Sequence, residues 1–297
     1  MKITITGATG FVGMNLQNYL KTEHEVTPMS VRYKTNQEFQ IIDDAFIHLA
    51  GKAHDLKKVS IPKEYYDSNF ELTKQLFDAF LVSKAPVFIF MSTVKAVTDV
   101  VNRILLEDQV PNPKTHYGIA KHQAELYILG KEIPKEKRVY ILRPCMIHGP
   151  GNKGNLNLLY QLVSKGLPWP LGAFENQRSF LSIENLCFIV KELLENESIP
   201  SGIYQAADDK PVSTNELIRL LGVSLGRKSD IWIVNSSFLK SISKLGDYFH
   251  LPLNSERLEK LTENYIVSNG KVMQAIGKPL PVSAKDGLLK TFGSFKK

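Results

Sequence analysis

The sequence predicts an α/β protein built on a doubly wound parallel sheet, with a second, smaller mixed α/β lobe. Three observations carry this expectation. An apolar strand at the start of the chain runs into a turn with glycines at Gly7, Gly10 and Gly13 and then into a helix. Strands and helices alternate after it at lengths suited to parallel crossovers. The run from Val87 to Met91 is apolar throughout, as a strand covered on both faces must be.

Ile3 and Ile5 alternate with threonines as a strand should, and Met14, Leu16 and Leu20 begin a helical stripe. Between them, Gly7 permits a tight turn, Gly10 lets backbone approach a pyrophosphate, and Gly13 lets the helix pack closely on the strand. The helix start, with Phe11 and Val12, offers free N–H groups and a positive dipole end, so a dinucleotide is the expected ligand. The second strand spans Glu25 to Met29 and is followed by Ser30, Val31 and Arg32, where an NAD site usually offers a carboxylate. A hydroxyl at Ser30 and a guanidinium at Arg32 suit a 2′-phosphate, which favours NADP over NAD. The competing reading has Arg32 in solvent.

A short polar stretch leads to the next strand, Ala45 to Gly51, so the usual third strand is cut down, with 39–42 as its remnant. Asp43 and Asp44 either meet adenine or begin that strand. Glu64 to Ser83 reads as one long helix with an apolar face at Leu72, Leu76, Phe77 and Phe80, and it contains Asn69. The strand from Val87 ends in Met91, Ser92 and Thr93 at its carboxyl edge, where open α/β sheets place ligands. A helix follows from Thr115 to Leu129, then a strand from Val139 to Arg143. After Pro144 a glycine-rich loop, Gly149 to Asn155, opens the second lobe with a helix from Leu156 to Lys165. Arg178 to Ile183 is a strand, Gly202 to Ala206 another, Ser213 to Glu216 has capping-box spacing, and Lys285 to Phe295 closes the chain. The expected division is 1–147 for the dinucleotide-binding domain and 148–297 for the substrate lobe, with 179–206 returning to the main sheet.

The chain has 297 residues, 43% hydrophobic and 23% charged, which is ordinary for a globular protein. The strand at Lys2 leaves no room for a signal peptide and no apolar run is long enough to span a bilayer, so a cytoplasmic protein with no membrane partner is expected. Cys145 and Cys187 lie in apolar runs and read as buried free thiols. The net charge of +7 is scattered rather than striped, and no nucleic-acid-binding signature accompanies it.

Tyr117 and Lys121 stand one helical turn apart. A free phenol has a pKa of about 10, and a nearby ammonium would favour phenolate; a drop of about three units corresponds to roughly 4 kcal/mol. Tyr117 could then exchange a proton with a sugar hydroxyl, with Thr93 hydrogen-bonding the same oxygen.

The glycine turn, a strand ending in Ser92 and Thr93, and the Tyr117/Lys121 pair on the next helix together resemble the extended short-chain dehydrogenase/reductase family, also called NAD-dependent epimerase/dehydratase, over nearly the whole chain. The resemblance implies a Rossmann fold. It matches the cofactor turn with Gly7, Gly10 and Gly13, a fourth-strand motif with His48, Leu49, Ala50 and Gly51, and a cofactor-approaching asparagine with Asn69. It further implies catalytic Thr93, Tyr117 and Lys121, a junction from Leu142 through Pro144 to Gly151, nucleoside-diphosphate contacts at Asn155 and Leu156, and an arginine for the phosphates at Arg178. A homodimer through the helices at Glu64 to Ser83 and Thr115 to Leu129 is also implied.

Two departures from the family pattern bear on the sugar. Met146 replaces a frequent asparagine, and Lys95 replaces a small residue. Both are expected to line the sugar site. The pattern resembles a bacterial subgroup acting on UDP-linked N-acetylated or 6-deoxy sugars in surface-polysaccharide assembly, in which 4-keto reductases and C4 epimerases both occur. A cofactor-binding sensor without catalysis is the reading from another class. His54, His116, His122 and His148 sit in no metal motif, with His116 expected to pack beside Tyr117. Lys52 and Lys153 read as solvated, and Trp169 as part of a packed loop.

Overall fold

In the computed structural model, residues 1–53, 61–101, 103–152, 154–249 and 254–296 are described, with backbone only for Asn155 and Lys296. The readings at His54 and Lys153 lie outside the described residues. The chain begins with β1 (Lys2–Thr6), α1 (Phe11–Leu20), β2 (Glu25–Met29) and β3 (Ala45–His48). Next come α2 (Pro62–Tyr66), a π-helical turn (Asp67–Glu71), α3 (Leu72–Val82) and β4 (Val87–Met91). A 3-10 turn (Val94–Ala96) and the two-residue β5 (Ile104–Leu105) precede α4 (His116–Leu129), β6 (Arg138–Pro144), β7 (Met146–His148) and α5 (Asn155–Ser164). The remainder is β8 (Phe180–Ser182), α6 (Ile183–Glu195), β9 (Gly202–Ala206), α7 (Thr214–Ser224), α8 (Ser236–Phe249), α9 (Ser255–Thr262), β10 (Ile266–Val267), α10 (Gly270–Ile276) and α11 (Ala284–Gly293).

Among the described residues the main sheet has six strands in the order β2-β1-β3-β4-β6-β9, and every pairing in it is parallel. Register aligns Thr6 with Met29 and His48, Met91 with Leu142, and Pro144 with Ala206, so the carboxyl ends form one edge. Alternation along β4 explains the two-sided burial. Ile89 and Met91 join an aliphatic core with Leu16, Leu186 and Ile189, while Phe88 and Phe90 join an aromatic core with Phe46, Phe77 and Phe80. Phe88 stacks on Phe46 at 5.9 Å and meets Phe77 edge-on at 5.1 Å. Each large side chain buried this way contributes roughly 1.5–3 kcal/mol, which locks the register at the edge above. A further core, around Trp169, Leu171, Leu221, Leu288 and Phe292, holds α5, α7 and α11 together. No described helix is long and apolar enough to cross a membrane.

The structure corrects several expectations. Residues 39–42 form no strand; Ile41 is buried and Phe39 packs on the aromatic core without backbone pairing. The strand expected through Gly51 ends at His48, because the following amides turn back to Thr6. The single helix expected from Glu64 to Ser83 is interrupted by the π-turn. The strand expected from Arg178 shrinks to Phe180–Ser182, with Arg178 bridging Val212 and Tyr265 instead. Asp43 bonds Thr4 at 2.6 Å and Asp44 bonds the Lys2 amide at 2.8 Å, so both tie the amino end of the sheet and neither faces the ligand edge.

Candidate active site

The turn after β1 has the form of a phosphate cradle. Gly7 has φ +67°, and a Cβ there would lie 2.8 Å from the Ala50 amide nitrogen, so glycine is required twice over. A Cβ on Gly13 would lie 2.3 Å from the Gly7 carbonyl oxygen; this glycine packs the helix on the turn itself rather than on the strand. Gly10 differs, since among the described residues its only near neighbour is the Gly7 carbonyl at 3.3 Å. No side chain caps α1. Free amides beneath this glycine fit a dinucleotide pyrophosphate. Phe11 and Val12 pack back on the aliphatic core.

Beside this cradle runs a fully paired polar column. Thr6 Oγ1 accepts hydrogen bonds from the Leu49 and Ala50 amides, so its own proton must go to His48 Nδ1, 2.8 Å away. His48 is therefore protonated at Nε2, which donates to Thr73 Oγ1 at 3.0 Å. Thr73 in turn donates to the Asn69 carbonyl at 2.9 Å. Burial, and next the Lys121 charge, hold His48 well below the usual imidazole range, which keeps the ring neutral as the donor count demands. The column ends on the π-turn, whose extra residue swings the Asn69 side chain to bracket the Lys52 backbone, with bonds of 3.1 and 3.0 Å. A Cβ on Gly51 would lie 2.5 Å from Asn69 Oδ1 and 3.3 Å from Lys121 Nζ, so these three groups converge.

Thr115 caps α4 by accepting the Gly118 amide at 3.2 Å, which sets Tyr117 in the first turn and Lys121 one turn on. Lys121 is buried, donates to the Met91 carbonyl at 2.8 Å and lies over the Phe90 ring at 4.5 Å. Burial pushes its pKa down to about 7, against a weaker upward pull from Glu125. Tyr117 corrects the sequence expectation. Burial pushes its phenol up to about 12, and the hydroxyl of Thr93, not Lys121, supplies the opposing pull. The reason is that the ammonium is turned to the end of β4. Thr93 Oγ1 also accepts the Lys95 amide at 3.2 Å, fixing the threonine at the strand mouth.

The hydroxyl of Ser92 does not face the cofactor side as expected; it donates to Glu125, which Arg143 grips at 2.9 and 2.6 Å. Any contact from Ser92 to a cofactor must come through its backbone. Burial pushes the Glu125 carboxyl up, but His122, Arg143 and Ser92 together hold it below the usual range. Sequence reasoning missed this pair, although Glu125 one turn beyond Lys121 is a carboxylate on a buried helix face and needs a cation. Pro144 ends β6 at the same edge. On the other side, a cleft of about 520 Å³ is lined by Val31, Arg32, Ala50, Gly51, Lys52 and Glu64 among others. Arg32 is exposed in it, Ser30 is exposed just past β2, and Lys52 pairs with Glu64.

Toward the second core, Lys95 Nζ donates to the Asp99 carbonyl at 2.9 Å and lies over the Tyr265 ring at 4.5 Å. Burial lowers its pKa, with Asp99 the largest opposing influence. Arg178 donates to the Lys260 carbonyl at 2.5 Å and pairs with Glu263 at 3.5 Å. Tyr265 and Glu263 belong to this cluster and were not foreseen. Met146 is partly exposed at the start of β7, whereas the side chain of Leu156, expected against the nucleoside, is buried in the second core, so any contact from it must come through its backbone. The Asn155 side chain lies outside the described residues. His116 meets Tyr66 edge-on at 5.9 Å rather than packing beside Tyr117. His148 is buried between Thr291 and Asp208, Trp169 packs in the second core, and no metal-holding cluster occurs among the described residues.

Residues 3–207 match the model of the NAD dependent epimerase/dehydratase family. A UDP-glucose 4-epimerase of Vibrio cholerae is 27% identical over 99% of this chain and 95% of its own. A GDP-6-deoxy-D-mannose reductase of Pseudomonas aeruginosa is 26% identical over 74% of this chain and 79% of its own. Among solved structures, the UDP-N-acetylglucosamine 4-epimerase of Bacillus cereus superposes with a TM-score of 0.75 at 20% identity, covering 100% of both chains. With the glycine cradle, the parallel sheet and the family match over most of its length, the chain belongs to the NAD dependent epimerase/dehydratase family.

Proposed function

We propose that the protein is an NADPH-dependent nucleotide-sugar oxidoreductase that reduces C4 of a UDP-linked 4-keto sugar, N-acetylated or 6-deoxy, in bacterial surface-polysaccharide synthesis. The observation that carries this reading is the placement of Tyr117, hydrogen-bonded to Thr93 at the carboxyl edge of the sheet, with burial raising its pKa. A neutral phenol there is a proton donor. The bound cofactor supplies hydride. Thr93 orients the carbonyl oxygen by hydrogen bond, Tyr117 gives that oxygen its proton, and Lys121, beside Gly51 and Asn69, holds the ribose. Arg32 in the cleft beyond Gly51 supports the 2′-phosphate and hence NADP. Arg178 and Lys95 are cations that can exchange their carbonyl partners for a diphosphate and a sugar oxygen, with Met146 lining the same space.

A C4 epimerase with tightly held NAD is the second reading, favoured by the nearly full-length similarity to the Vibrio cholerae enzyme. It uses the same residues, with Tyr117 first taking the C4 hydroxyl proton and later returning it. A homodimer through α3 and α4 accounts for the exposure of Val82, Leu126 and Leu129.

Tyr117→Phe tests the assignment, with turnover of UDP-sugars expected to fall on the order of a thousandfold and cofactor binding to persist. Equal turnover would remove Tyr117 from the chemistry. Arg32→Ala should weaken NADPH binding by about tenfold or more and leave NADH nearly unchanged, whereas equal loss for both would sink the 2′-phosphate role.

A further inference from the structure

Away from the site, α8 is built inside out for a surface helix. Its inward face is carried by Leu239, Ser243 and Gly246, while Phe238, Leu245 and Phe249 recur at successive turns on an exposed stripe, with Ile242 half-buried along it. Tyr248 is 79% exposed on one flank of the stripe, and the exposed Lys240 and Lys244 lie farther round, across the helix from it. The segment leading into α8 continues the pattern. The backbone of Trp232 pairs with Trp169, yet the Trp232 side chain and its neighbour Ile233 are exposed, with Lys228 just before them. Between 228 and 249 the acidic residues are Asp230 and Asp247, and Asp247 is engaged by the Ser255 amide at 2.9 Å.

We propose that this face docks the protein on the surface of an anionic lipid bilayer, with α8 lying in the headgroup layer. The composition selects this occupant. An apolar, aromatic stripe on one side of a helix with lysines on its polar side is what an interfacial helix presents, with tryptophan and tyrosine at headgroup depth. The net charge of +7 adds long-range attraction of the right sign. At 14 residues α8 is too short to span and lies flat. It packs on α9, whose Lys260 carbonyl is held by Arg178, so docking would bring that end of the molecule to the membrane. The proposal goes beyond the sequence expectation of no membrane partner and does not depend on the reaction assigned above.

The test is cosedimentation of the full chain with vesicles of phosphatidylcholine alone or mixed with phosphatidylglycerol. Binding is expected to the anionic vesicles, to weaken with salt, and to be slight on phosphatidylcholine. Lys240→Ala/Lys244→Ala should weaken it roughly thirtyfold, the loss expected for two lysines at a charged surface. Phe238→Ser/Leu245→Ser/Phe249→Ser should weaken it by at least about tenfold. The lysine variant alters only exposed side chains and keeps the test valid if the apolar variant misfolds. Wild-type protein left in the supernatant with anionic vesicles would overturn the proposal, as would lysine and folded apolar variants that bind like wild type. Overturned equally, the stripe would belong to a second copy if light scattering showed an assembly that the apolar variant loses and vesicles fail to bind.

Discussion

The two halves of the candidate site are built on different principles. On the cofactor side, from Thr6 through His48 and Thr73 to Asn69, each hydrogen bond runs in one direction and ends on backbone, and the ring nitrogens and hydroxyls are all used. On the substrate side the cations have provisional partners. Arg178 holds a helix-end carbonyl, and Lys95 holds a loop carbonyl and the face of Tyr265. The first half is finished before any ligand arrives, and the second, on the function proposed above, would change partners. Pre-organisation stabilises the one that binds an unvarying group, while exchangeable cations suit a ligand that must enter and leave each cycle.

The comparison breaks most readily at Thr73. Thr73→Val keeps the shape but leaves the His48 Nε2 proton with no acceptor in a buried site, so stability should fall by about 2 kcal/mol in urea unfolding. Cofactor binding should weaken with it, because the Asn69 turn loses its support. A loss smaller than about 0.5 kcal/mol would mean that the column is not the rigid half described.

Legibility in the sequence followed the same divide. Gly7, Gly10 and Gly13 are separated by a few residues, follow a strand and open a helix, so the turn they make could be read from local sequence. The placement of Tyr117 and Lys121 one turn apart on one helix was likewise legible. Their electrostatics were not, because the pKa of Tyr117 depends on burial and on where Lys121 turns, and turning it to the Met91 carbonyl is a tertiary event. The π-turn at Asp67–Glu71 leaves no mark in an apolar periodicity that continues through Leu72 and Leu76. The Arg178, Glu263, Tyr265 and Lys95 cluster is gathered from distant segments, through the pairing of Arg178 with Val212 and Tyr265, and no local pattern could assemble it. Leu156 shows the same limit: its position matched a family contact, but that its side chain packs in the core could not be read from the local sequence.

Lys121 offers a second test of the finished half, through pH. Its folded pKa of about 7 lies below the ordinary 10.5, so between those values the unfolded chain binds more protons than the folded one. Stability of the cofactor-free protein should therefore rise with pH across that window, by up to about 1.4 kcal/mol per pH unit from this group. Lys121→Met removes the titration. The difference between wild type and variant, followed by chemical unfolding from pH 7 to 10, should carry that slope; parallel profiles would show that Lys121 is not held in a desolvated site.

Arg178 marks the other extreme, where stability should scarcely move and binding should. Arg178→Lys keeps the charge and can still reach an acceptor, so the loss of the Lys260 contact and of the Glu263 pair should cost less than about 1 kcal/mol in unfolding. A diphosphate, however, needs the two parallel donors of a guanidinium, which an ammonium cannot supply. KM for the nucleotide sugar should accordingly rise about tenfold with kcat little changed, the signature of lost uniform binding. If unfolding shifted as much as in Thr73→Val while KM stayed put, Arg178 would be part of the scaffold, and the two halves of the site would be built alike.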